Sequence, residues 1–289
     1  MEKIPQVTVV GSINMDLITT CTRIPEQGET IIGDDFETAP GGKGANQAVA
    51  AARLGAEVNF IGRTGEDYIG RELRAHLKES GISGLYVEEV PAVSTGTASI
   101  LLTEKDNRII IAPGANAYVT PDYIDKHLHV LKKSDIVLMS FEIPAQTILH
   151  TAKRCSEYNL PLMINPAPAL HMSEMLWELA DFITPNEKEY NQLFIKAEEP
   201  IQQKIITTLG DKGAQWKEEM TVESHPGYKS RVQDTTGAGD TFNGALAVSK
   251  AAGKTMKEAV AFANAAASIA VEKWERRQVC RIMTKYRKE

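Results

Sequence analysis

The chain has 289 residues, 43% of them hydrophobic and 24% charged, with a formal net charge of −6. That is enough for one large α/β domain or two small ones of a soluble globular protein. The acidic balance argues against a nucleic-acid or membrane partner, and no apolar run predicts a bilayer span or a signal peptide.

Val7 to Val10 is a β-branched run ending at Gly11, and reads as a buried strand. In the stretch Gly11-Ser-Ile-Asn-Met-Asp16, Asn14 and Asp16 lie two apart, so on an extended chain they point the same way. Such a pair either holds vicinal hydroxyls or stabilises a turn. Residues 17–38 alternate around Pro25 and Gly28 and predict antiparallel strands. Gly41 and Gly42 then precede a helix from Ala45 to Leu54 and leave room for a ligand against the backbone. Lys43 is placed to meet a phosphate, and Asn46 sits one helical turn on. The P-loop spacing is absent.

A strand over 57–61, a loop over 62–67 and a helix over 68–80 follow. Gly96–Thr103 and Arg108–Ala112 predict a hairpin. With the earlier strands it forms a small second sheet, inserted in two pieces (about 13–39 and 95–113) as a lid on a single domain spanning 1–289.

From residue 121 strands and helices alternate, which predicts a mostly parallel sheet. The expected elements are helix 121–133, strand 136–139, helix 144–158, strand 161–164, helix 173–179 and strand 182–184. Each strand runs into a polar cluster: Glu142, then Asn165 to Ala169, then Asn186 to Glu189. Ligands of open α/β sheets bind outside such carboxyl ends. Asn186 and Glu189, three apart at a helix start, either cap that helix or hold a hydrated magnesium ion near phosphates.

Ile205 to Gly213 reads as a strand and glycine turn, with a hairpin after it. In Asp234-Thr-Thr-Gly-Ala-Gly-Asp240 the small residues Gly237, Ala238 and Gly239 sit where a loop becomes helix 238–252. Unpaired N–H groups there make an anion site. Asp240 would repel a resident anion. It suits a phosphoryl group in transit, where it takes a proton from the attacking hydroxyl. The bland alternative is an ordinary N-capped helix. Helix 255–273 carries Asn264 among alanines, either facing a flat ring or satisfied in the core. Cys21, Cys155 and Cys280 match no zinc or disulfide pattern, so the expectation is a reducing, cytoplasmic compartment.

Six stretches taken together resemble the PfkB-type carbohydrate kinases, and within them the ribokinase group. They are Gly11 to Asp16, Gly41-Gly-Lys-Gly-Ala-Asn-Gln-Ala48, Asn165-Pro-Ala-Pro-Ala169, Thr184-Pro-Asn-Glu187, Thr208-Leu-Gly210 and Asp234 to Asn243. The match runs in order from about residue 7 to 272. It implies a ribokinase-like doubly wound, mostly parallel α/β sheet with helices on both faces. It also implies a β-lid that pairs two subunits in a homodimer. The implied reaction is phosphorylation of D-ribose at O5 by ATP.

By motif, Asn14, Asp16, Gly41, Gly42, Lys43, Asn46 and Glu142 would bind ribose. Asp240 would be the general base, and Gly237, Ala238 and Gly239 the anion hole. Asn186, Thr208, Gly210, Gly213, Gly239 and Asn264 would serve the nucleotide. Glu189 would hold Mg2+ through water. Asp234 and Thr236 would form part of a monovalent-cation site, usually K+. The rival readings are a kinase of the same family for deoxyribose, fructose or adenosine, and a sugar-binding protein that no longer turns over.

Two departures stand out. Between Asn191 and Ile205 the chain is shorter than the family pattern by roughly one helix; the sheet is expected to survive this and the nucleotide side to change. After Lys273 the family's Gly-Ala-Gln segment is missing, and residues 274–289 form an atypical tail. Back-translating Trp274 to Arg281 and reading from the last base of the Trp codon yields Gly-Ala-Gln-Ala-Gly-Met-Pro, the family pattern. A one-nucleotide frameshift near codon 273 explains it; the alternative is an unrelated basic tail.

Overall fold

The structure is a computed structural model and describes residues 3–103, 107–219, 221–231 and 236–272. The tail 274–289 and Asp234 lie outside the described residues.

The amino-terminal half begins with β1 (Gln6–Val10), β2 (Asn14–Thr20) and β3 (Asp35–Gly41), then α1 (Lys43–Arg53), β4 (Glu57–Gly65) and α2 (Tyr68–Glu79). After these come β5 (Val87–Val90), β6 (Gly96–Leu102), β7 (Asn107–Ala112), α3 (Pro121–Lys126) and α4 (Leu128–Leu131). The alternating half contains β8 (Ile136–Ser140), α5 (Ala145–Glu157), β9 (Leu162–Asn165), α6 (Glu174–Leu179), β10 (Phe182–Ile183), α7 (Glu187–Leu193) and α8 (Glu199–Gln202). The chain continues with β11 (Ile206–Thr208), β12 (Ala214–Glu218), β13 (Thr221–His225), α9 (Ala238–Ala251) and α10 (Met256–Ala270).

Six parallel strands in the order β10-β9-β8-β1-β4-β5 make the central sheet. Its middle strands are short continuous apolar runs because both faces are covered: every residue of β8 and β9 is buried. One face packs on α1, α2, α9 and α10, the other on α3, α5 and α6. The antiparallel β11-β12-β13 unit continues the sheet through parallel bridges at Ile183–Ile205 and Asn186–Thr208, so the shortened 191–205 region still delivers a strand. The second sheet has the order β3-β2-β6-β7 and stands apart from the first. No helix among the described residues is long and apolar enough to cross a membrane.

Three local expectations are corrected. Residues 62–65 are not loop: β4 runs to Gly65 because β5, a strand whose centre is Glu88-Glu89, pairs beside it. The helix expected over 121–133 breaks into α3 and α4 at His127, whose φ of −104° and ψ of 16° leave the helical region. The His127 ring is buried there and bonds to Glu88. Of the antiparallel strands expected over 17–38, the one after Gly28 starts only at Asp35; residues 30–34 are mostly exposed.

The α1–α9 crossing positions the site. A Cβ on Gly244 would stand 2.7 Å from the Gln47 carbonyl oxygen and 2.8 Å from Ala50 Cβ. A glycine on one helix and alanines on the other let the backbones nearly touch. That brings the first turn of α1 beside the first turn of α9.

Candidate active site

Four chain segments converge at the carboxyl ends of the central strands. The first is the β1–β2 turn. Asn14 and Asp16 lie on β2 and are both buried. The Asn14 amide is held inside the protein: Oδ1 accepts from Asn116 Nδ2 (2.7 Å), and Nδ2 donates weakly to Glu142 Oε2 (3.5 Å). Asp16 packs its carboxylate against Gly41 so closely that any side chain at 41 would collide with it.

The second segment is the start of α1. No side chain caps Gly42, but Glu142 does the equivalent work. Its Oε2 accepts from the Lys43 N–H (3.1 Å) and from Ser12 Oγ (2.6 Å). A carboxylate at a helix N-terminus is favoured by the helix dipole. Glu142 therefore ties the β1–β2 turn to α1 at the place where Lys43 emerges.

The third segment is the start of α9. Gly237 has a φ of 78°, a left-handed conformation that favours glycine, and supplies no side-chain cap. Among the described residues, none beyond the chain neighbours and the helix's own backbone stands within 4 Å of a Cβ placed on Gly237 or Gly239. The N–H groups of this first turn are left without helical partners, as at any helix start. Asp240 is the third residue of the helix and is buried. Asn46 donates to its Oδ2 (3.1 Å) and Gln47 to its Oδ1 (3.1 Å). Burial pushes the Asp240 carboxyl above the usual range. Lys43 and the two amide donors pull it back, and Glu142 adds to the rise.

The fourth segment is the β10–α7 junction, where Asn186 and Glu189 form a capping box. Asn186 Oδ1 accepts from the Glu189 N–H (2.8 Å), and Glu189 Oε2 accepts from the Asn186 N–H (2.8 Å). The capping reading of the pair is the one this geometry shows, and both residues also line the small cavity that Lys43 and Asp240 border. Burial raises the Glu189 carboxyl, Lys43 lowers it, and Asp240 raises it further.

Lys43, Asn186, Glu189, Thr208, Gly237 and Asp240 share one small cavity of about 120 Å³, with Gly239 beside them. A larger space of about 720 Å³ adjoins it under the second sheet, bordered by Gly41, Asn46, Thr236 and Gly237. Gly210, Gly213 and Asn264 line neither cavity. Gly210 and Gly213 shape the β11–β12 turn. Asn264 is buried, and its amide donates to the His225 carbonyl (3.0 Å), tying α10 to the end of β13.

Sequence reasoning missed Asn116 and gave no individual role to Gln47, Asn165, Thr184 and Asn243, which it saw only inside motifs; all five are buried polar residues at this end of the fold. The available signal was their position: Asn165 and Thr184 end strands, and Gln47 follows Asn46 on the helix that carries Lys43.

A model of the pfkB family carbohydrate kinases matches residues 5–278. The chain is 42% identical to the ribokinase of Bacillus subtilis over 270 residues, 92% of each chain. Among solved structures it resembles the ribokinase of Arabidopsis thaliana complexed with ribose and ATP (TM-score 0.85, 33% identity, 94% of each chain). It also resembles the ribokinase of Thermotoga maritima (TM-score 0.84, 35% identity, 96% of each chain).

Proposed function

The chain belongs to the pfkB family of carbohydrate kinases, and from that premise we propose that it transfers the terminal phosphoryl group of ATP to O5 of D-ribose. It is a phosphotransferase that acts on ribose with ATP, as its relatives' names support. The observation that carries the residue-level reading is a buried carboxylate, Asp240, set in the first turn of a helix that starts from Gly237 and facing a cavity shared with Lys43.

In this reading Asn14, Asp16, Gly41, Gly42, Lys43, Asn46 and Glu142 form the ribose side. The polar hydrogen bonds already made by Asn14 and Glu142 give them a positioning part: they hold β2 and α1 in register. Asp240 accepts the O5 proton as the new O–P bond forms; general-base help of this kind is worth about 10²–10⁴-fold. The N–H groups of Gly237, Ala238 and Gly239 and the Lys43 ammonium meet the charge that develops on the phosphoryl oxygens. We assign Asn186, Thr208, Gly210, Gly213 and Asn264 to the nucleotide side, the last three from outside the two cavities.

Glu189 fits a role toward hydrated Mg2+. Its bond to Asn186 uses one carboxylate oxygen and leaves the other for a water, and it shares the cavity with Lys43 and Asp240. The ion would offset phosphate charge. We assign Thr236, with Asp234, to a monovalent-cation site; Thr236 borders the larger cavity. A potassium titration of the rate tests that assignment, and an unchanged rate would count against it.

A homodimer through the second sheet is part of the proposal. All of β7 is exposed, with Ile109 and Ile110 more than half so. Apolar residues on a sheet edge invite a covering partner. Light scattering on Ile110→Glu should report a smaller particle than the parent chain. A cytoplasmic location is our reading of the free, buried thiols of Cys21 and Cys155.

The test of the reaction is ADP release with ribose, deoxyribose, fructose and adenosine offered in turn. Ribose should give the highest kcat/KM. Ribose binding without ADP release would favour a sugar-binding protein instead.

A further inference from the structure

Along the wall of the small cavity, which Asn165, Thr184 and Asn243 line, runs a ring of hydrogen bonds of which the reaction as described uses only Asp240 and the Gly239 turn. It starts at Asp240, whose Oδ1 accepts from Gln47 Nε2 (3.1 Å). The same amide nitrogen donates to Asn165 Oδ1 (3.1 Å). Asn165 Nδ2 donates to the Thr184 carbonyl (2.9 Å), and Thr184 Oγ1 bonds to Asn243 Oδ1. Asn243 Nδ2 donates to the Gly239 carbonyl (2.8 Å), so the ring closes one residue before it began. Its members come from α1, β9, the end of β10 and α9, and all the side chains are buried.

Gln47 is the one member that touches the Asp240 carboxylate. Its two amide protons go to two acceptors. Its own Oε1 is buried with no partner among the described residues. Turning the amide over would set that oxygen against the Asp240 carboxylate and the Asn165 carbonyl, and both would repel it. The orientation that leaves a buried carbonyl unpaired is therefore the one that keeps a donor on Asp240.

We propose that Gln47 is a positioning residue for phosphoryl transfer: it fixes the plane of the Asp240 carboxylate and, through Asn165, Thr184 and Asn243, couples that carboxylate to the Gly239 turn of the anion hole. This rests on the reading of Asp240 as the general base. With Asn46 on Oδ2 and Gln47 on Oδ1, each oxygen receives one donor, and the carboxylate cannot swing about its terminal bond. A base held this way meets the sugar hydroxyl at one angle. Gly239, held by Asn243, keeps the phosphoryl side in step with it. Lys43 and Glu142 also act on Asp240 through their charge, and Glu189 faces the same cavity; none of them fixes its rotation.

The experiment compares single-turnover phosphorylation of ribose by wild type, Gln47→Met, Asp240→Asn and the double variant. Gln47→Met keeps length and volume but removes the donor. Its rate constant should fall about 10- to 100-fold, the scale of a misplaced reacting group, with KM for ribose and ATP within about twofold of wild type. In the Asp240→Asn background Gln47→Met should bring no further loss, because the group it positions is gone. A full multiplicative loss in the double variant, a loss confined to KM, or an unchanged rate in Gln47→Met overturns the proposal. Full activity in Asp240→Asn alone overturns the general-base reading instead, so the two failures are distinguishable. Thr184→Val breaks the ring at its far side and covers the case in which Gln47→Met does not fold. It should lose rate with the same non-additivity toward Asp240→Asn, and a wild-type rate would sever the coupling to Gly239.

Discussion

The proposed ribose–phosphoryl half of the site and the proposed nucleotide half are built by different means. In the first, buried side chains reach partners far along the chain: Ser12 to Glu142 across 130 positions, and Gln47 to Asp240 across 193. In the second, the side-chain bonds of Asn186 and Glu189 stay within a four-residue capping box, and Gly210 and Gly213 shape a local turn. A long-range network assembles only when the whole domain folds, and it then stands ready before any ligand arrives. A local turn folds by itself but orients little beyond itself. The proposed chemistry therefore sits in the half whose geometry is over-determined.

The largest effect that would sharpen this contrast is loss of Asp240. Asp240→Asn should lower kcat by about 10²–10⁴-fold while ribose affinity, read by calorimetry, is retained. Retained turnover would break the comparison at its centre.

Next is Gly244→Ala. The added methyl would sit 2.7 Å from the Gln47 carbonyl oxygen, so α1 and α9 must part. Overpacking of this kind costs about 1–3 kcal/mol. The thermal midpoint should drop by several degrees, and kcat should fall with it because Gln47 and Asp240 separate. A lower midpoint with unchanged kcat would show that the long-range half tolerates displacement.

On the nucleotide side, Glu189→Gln keeps the capping box, since glutamine serves at that position too. It removes only the charge. KM for MgATP should rise several-fold with KM for ribose and the melting temperature unchanged; an equal rise in both KM values would erase the division between the halves.

The smallest effect is on pH dependence. Burial raises the Asp240 carboxyl above its ordinary value of about 3.9, so kcat/KM for ribose should fall on acidification with a midpoint above that value. A folded state that binds this proton more tightly than the unfolded chain is stabilised below the unfolded value, and loses that contribution as pH rises through the folded one. Asp240→Asn should therefore gain stability relative to wild type between acid and neutral pH, as read by thermal melts at both.

Much of the fold was legible because its signals are local. β1, β8 and β9 are continuous apolar runs, and the glycines before α9 mark a helix start from sequence alone. β5 was missed because Glu88 and Glu89 at its centre read as loop, while the structure pairs them beside β4 and sets Lys126 and His127 against Glu88. The break at His127 has the same origin. Within the site, Asp240, Lys43 and Glu189 were visible as charged residues at element ends. Gln47 and Asn165 stood in motifs but without a part to play: their position marked them, while the bond that gives them one joins residues 118 apart.

The sequence by itself determined the order of elements, the stop at each strand's polar end and the backbone freedom at Gly237. Each follows from steric preference and hydrophobic period within a few residues. Only the tertiary structure decided which amides face Asp240, that Glu142 closes on the start of α1, and that Asn14 turns to Asn116. The reason is geometric. A side-chain hydrogen bond needs its partners within about 3 Å, and that distance is set by how closely α1 and α9 pack at Gly244, not by any spacing along the chain.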